Sequence, residues 1–180
     1  MTWDAFHRRG EVLRIVVDEA NARRDGVLPM ELPGVAETFG DELALIAALQ
    51  LRWHTRLAGR IERTLMEQPS ELEPAVLTAW RGTAYELAGV REILDAYATE
   101  PTSEEMRTAL ETARRKDWIL MAAMAGKASP AEAGAARVGR ALEGKARAAY
   151  NPTAEPRHRA DEDDHRRGSL LGRLKAHLPA

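Results

Sequence analysis

Apolar residues recur at three- and four-residue spacing along most of this chain, the periodicity of helices buried on one side. The first predicted helix runs from Trp3 to about Arg24, with Trp3, Phe6, Leu13, Val17 and Ala20 on one face, and Asp25-Gly26 ends it. Val27 to Pro33 carries two prolines and no helical period, so an extended strap with tucked-in apolar residues is expected there. A long second helix from Val35 to about Glu67 holds Val35, Phe39, Leu43, Ile46, Trp53, Leu57, Ile61 and Leu65 in one stripe. Ala47, Leu51 and Ala58 widen that stripe, which predicts a central, well-buried helix.

A third helix from Glu71 to about Ala98 uses Leu72, Val76, Trp80, Ala84, Leu87, Leu94 and Tyr97, with a kink expected at Gly89. A fourth spans Ser103 to Ala125, and a fifth runs from Pro130 to about Ala149, where Asn151-Pro152 stops it. Ser70 with Glu73, Thr102 with Glu105, and Ser129 with Glu132 have the spacing of reciprocal capping boxes, so each predicts a helix start. The expected fold is all-α: an antiparallel up-down bundle of four to five helices over residues 1–150. A disordered charged linker over 151–168 and a short amphipathic C-terminal helix over 169–180 complete it.

Composition sharpens this picture. Aromatics are only 5% of 180 residues while Ala, Leu and Arg abound, a balance that favours helix. There is no cysteine, which excludes disulfides, thiolate metal sites and cysteine nucleophiles. The opening residues lack a basic segment followed by an apolar one, and no apolar run is long enough to span a bilayer; a cytoplasmic protein without membrane contact is expected. A formal net charge of -2 gives no global attraction for phosphates, so nucleic acid is a disfavoured partner.

The chemically informative positions are polar residues inside apolar stripes, because burying a polar group without a partner is costly. Gln50 and His54 lie one turn apart in the sector of Leu43, Leu57 and Ile61, and Asp117 lies among Met106, Leu110, Ala113, Met121 and Met124. These three, with Trp53 and Trp80 nearby, are the candidate ligand pocket or acid-base pair. The structural alternative is an interior histidine satisfied by its carboxylate, and it is the stronger of the two. Arg52, Arg56, Arg60 and Arg63 form a basic row that could grip phosphates, although such rows are more often solvated faces paired with neighbouring carboxylates.

No metal site or cofactor is expected. The Glu-x-x-His matches at Glu155–His158 and Glu162–His165 fall in the linker, where no opposing helices complete a di-metal centre, and Asp4–His7 is a loose match. There is no phosphate loop, nucleophile elbow or His-Glu-x-x-His. Trp118 and Ile119 fall off the main stripe, where they could meet the fifth helix or a second copy. Leu170, Leu171, Leu174 and Leu178 fall on one side of a short helix at the end of a tether, the spacing of helix-in-groove docking.

The stretch Leu51-Arg52-Trp53-His54-Thr55-Arg56-Leu57-Ala58-Gly59-Arg60-Ile61-Glu62 resembles uncharacterised actinobacterial helical proteins with no assigned activity. The resemblance covers mainly the first three helices and implies a bacterial, cytosolic origin, without contributing a catalytic residue. The leading expectation is a non-enzymatic interaction or regulatory protein with a protein partner or self-association through its leucine-bearing tail. A small-ligand binder or enzyme at Gln50, His54 and Asp117, and phosphate binding through the arginine row, are the alternatives.

Overall fold

The computed structural model describes residues 3–152, and every described regular element is helical: α1 (Trp3–Arg23), α2 (Val35–Phe39), α3 (Glu42–Glu67), α4 (Leu72–Glu86), α5 (Ala88–Thr99), α6 (Glu104–Met124) and α7 (Ala135–Ala148). The side chains of Trp3 and Phe6 lie outside the described residues. So do the expected tether and Leu170, Leu171, Leu174 and Leu178.

The long second helix of the sequence reading is two helices. Gly40 takes φ 83, a left-handed conformation that favours glycine, and closes α2 by bonding its N–H to the Ala36 carbonyl. Asp41 then opens α3, its Oδ1 accepting the Ala44 N–H at 2.8 Å. The third predicted helix also divides, at Leu87 rather than by a bend at Gly89. Asn21 of α1 holds that break open: its Nδ2 donates to the Glu86 carbonyl at 3.1 Å and its Oδ1 accepts the Gly89 N–H at 2.9 Å. One side-chain amide thus replaces the helical hydrogen bonds lost on either side of Leu87.

None of the three capping boxes caps a helix as spaced; the second start is capped one residue along, by Ser103 rather than Thr102. Ser103 caps α6, its hydroxyl accepting the Met106 N–H. Ser70 caps nothing, because α4 begins at Leu72 and Glu73 is drawn between Lys127 and Lys145. Ser129 and Glu132 do bond each other, Glu132 Oε1 accepting the Ser129 N–H at 2.7 Å, but they close a single turn and α7 starts only at Ala135. The expected extended strap is only partly so: Leu28 is buried and Val27 faces solvent, while Met30 to Gly34 turn back on themselves, the Leu32 N–H bonding the Pro29 carbonyl.

Packing follows the apolar faces. α3 lies against α4, α6 against α7, and α1 against α5, while α3 also touches α6 and α4 touches α7. The core centres on Trp53 of α3 and Trp80 of α4, which meet edge to face at 5.8 Å, with Tyr150 seated on Trp80 at 6.0 Å. Met106, Leu110 and Met121 bury the inner face of α6, so its methionines are core residues. α6 and α7 come into close backbone contact at Gly139, where an added Cβ would stand 1.8 Å from the Trp118 carbonyl oxygen. No helix among the described residues is long and apolar enough to cross a membrane.

Candidate functional site

Gln50 and His54 are four residues apart on α3, and that spacing places both side chains on one face. α6 runs alongside in the same direction: Thr102, just before α6, bonds Glu42 at the start of α3, and Asp117 meets His54 further along. Buried Asp117 accepts two bonds, one from Gln50 Nε2 at 2.9 Å on Oδ2 and one from His54 Nδ1 at 2.6 Å on Oδ1. The three residues expected to meet do meet.

Because Nδ1 faces a carboxylate, it carries a proton, and the ring is held in one orientation. The hydrogen bond to Asp117 raises the His54 pKa above its ordinary value, against the effects of partial burial and of nearby Lys116. The raised value fixes the sign of the pH dependence. The stabilisation from this pair is complete below the ordinary 6.5 and is lost as pH rises through the higher folded-state value. Asp117→Asn is therefore expected to destabilise the protein by about 2 kcal/mol in acid, where a charge-assisted bond is lost, and by less in alkali. Urea unfolding at about pH 5.5 and about pH 8.5 checks this; an equal loss at both would show that the imidazolium gains nothing from Asp117.

The His54 side chain, 38% exposed, lines a groove of about 750 Å³ between α3 and α6. Ile46, Ala47 and Leu51 of α3 and Ala109, Leu110 and Ala113 of α6 form its walls. Ala47 and Leu51 were expected in the core. They line this groove in the open instead, Leu51 being 65% exposed. His54 and Lys116 stand toward one end, and the exposed carboxylates of Glu104 and Glu105 stand at the other.

Trp53 and Trp80 do not reach the groove. They sit behind Asp117 at a void of about 10 Å³, which they share with Arg91, Arg114, Trp118 and Glu143. From there an ionic network that the apolar pattern did not reveal runs through the interior. Arg91, only 5% exposed, stacks on Trp53 at 4.7 Å and pairs with Asp95 at 2.8 Å. Arg147 grips both oxygens of Asp95 at 2.8 Å, pairs with Glu143 and lies over Trp80. Trp118 meets α7, its Nε1–H donating to Glu143 and its ring packed between Arg114 and Arg140. The only trace of this network in the sequence is the four-residue spacing of Arg91 with Asp95 and of Glu143 with Arg147, which exposed helix faces share.

The arginine row is paired only in its middle. Arg56 and Arg60 both bind Glu86, while Arg52 and Arg63 remain exposed beside them. Among the described residues no three His, Asp or Glu side chains converge as metal ligands. The groove offers no serine or cysteine as a nucleophile, its only hydroxyls being those of Thr108 and Thr112. The arrangement is suited to presenting an imidazole hydrogen-bond donor, held in one orientation and cationic when protonated, beside an apolar trough. Comparison of the chain with protein-family models, with curated proteins and with solved structures gave no match.

Proposed function

We propose that this chain is a non-enzymatic binding protein for a small amphipathic carboxylate. The carrying observation is the His54–Asp117 pair toward one end of an apolar groove in whose wall Leu51 stands open to solvent. An acyl or aromatic body would lie against Leu51, Ala109 and Ala113, and its carboxylate would accept the Nε2–H of the His54 imidazolium with Lys116 close by. Gln50 acts indirectly by holding Asp117 in place. A cysteine-free chain suits a reducing, cytoplasmic setting. Within this reading residues 151–168 serve as a tether and 169–180 as an amphipathic helix.

The test is calorimetric titration of the intact chain with decanoate and with 1-decanol at about pH 6. Decanoate is expected to bind more tightly, and His54→Gln to weaken it about tenfold, the low end for a hydrogen bond between charged groups, while leaving 1-decanol unchanged. Raising the pH to about 8.5 should weaken decanoate in the same way as the imidazolium is lost. Equal binding of acid and alcohol, or no binding of either, overturns the proposal.

A further inference from the structure

We infer that the groove between α3 and α6 is covered in the resting protein by the chain's own segment Leu170–Leu178, which a ligand must displace; this rests on the binding role given to the groove above. An apolar trough with Leu51 standing 65% exposed is a surface that an amphipathic segment can cover. The lining of α3 runs from Ile46 to His54, a length of about 12 Å at 1.5 Å per residue. Leu170 to Leu178, as a helix, has the same length of about 12 Å, and its four leucines fall on one side at helix-in-groove spacing.

Charge agrees with this placement. From Ser169 to Ala180 there is no acidic residue, and Arg173, Lys175 and His177 stand between the leucines. The rim residues Glu104 and Glu105 present exposed carboxylates to such a segment.

Reach is sufficient. Pro152 is tied down by Arg24, and Tyr150 lies 6.0 Å from Trp80, which lies 5.8 Å from Trp53, the residue before His54. Residues 153–169 can extend to about 56 Å, several times that separation. Tethering also gives the segment an effective concentration of about 1 mM at the groove, so an intrinsic dissociation constant of about 0.1 mM keeps it docked some nine-tenths of the time.

The chain has no cysteine, so Ala176→Cys carries a single spin label and leaves the rest of the protein unmarked. Label-induced broadening is expected to be strongest at Leu51, Ala109 and Ala113 and weaker at Leu72 of α4, which does not line the groove. Ending the chain at Gly168, or substituting Leu170→Asp with Leu174→Asp in the full-length chain, should abolish docking and tighten decanoate binding about tenfold. If decanoate binds all forms equally and broadening misses the groove, the inference fails while the ligand reading survives. If broadening marks the groove but decanoate binds no form, the docking stands and the ligand reading fails. Broadening of unlabelled protein by labelled protein, growing with concentration, would mean that a second copy supplies the segment and would overturn the intramolecular arrangement.

Discussion

Gly139→Ala is expected to lower the stability of the protein by about 3 kcal/mol or more, at the upper end for overpacking, although it adds a single methyl group. The new Cβ would stand 1.8 Å from the Trp118 carbonyl oxygen and 2.6 Å from its Cα, so backbone, not a flexible side-chain tip, blocks it. α6 and α7 would have to separate. Separation would pull Trp118 away from Glu143 and shift the α6 segment that positions Asp117 for His54. The control lies in the same helix: Gly144 has nothing within 4 Å of its Cβ position, and Gly144→Ala should raise stability by about 0.5–1 kcal/mol through helix propensity. Urea denaturation followed by circular dichroism measures both. If the two variants unfold at the same midpoint, the close contact of α6 with α7 is not as described.

Asp95→Ala should cost about 3 kcal/mol, because it leaves the buried Arg91 guanidinium without its anion and removes both contacts of Arg147 to that carboxylate. Burial alone would raise the Asp95 pKa, but the guanidiniums of Arg91 and Arg147 overcome that and hold it below its ordinary 3.8. The contribution of a carboxylate depressed in this way is complete above the ordinary value and is lost only as pH falls through the folded-state value. The cost of Asp95→Ala should therefore be constant between about pH 5 and pH 8, unlike that of Asp117→Asn. In an Arg91→Met background the Asp95→Ala cost should shrink by about 1–2 kcal/mol, since the charge it strands is already gone. Undiminished cost in that background would mean that the two residues are not energetically coupled.

Much of the helical layout and the central polar trio could be read from the sequence. Gln50 and His54 share a sector of an apolar stripe, and Asp117 interrupts a stripe of methionine and leucine, so three costly groups pointed to one another. Gly40-Asp41 was legible as a helix stop followed by an N-cap, but the apolar period continues from Phe39 to Leu43 and masked it. The break at Leu87 had no local signal, because the amide that sustains it belongs to Asn21 of α1. Periodicity also cannot say which residues a neighbouring helix covers. It put Leu51 inside, where α6 leaves it open, and it gave no sign that Arg91, Asp95, Glu143 and Arg147 would gather around tryptophan between α5 and α7.

An elongated guest has two ways to lie along a trough, and in this one they are not equivalent. With its anionic head beside His54 and Lys116 the guest meets positive charge, whereas turned end for end it would confront Glu104 and Glu105. In the proposed binding role the groove would be polar in the sense of a magnet, and it would sort guests by asymmetry as well as by size. A body charged negatively at both tips would be repelled at one of them in either orientation, so the proposed role favours molecules with a single acidic terminus.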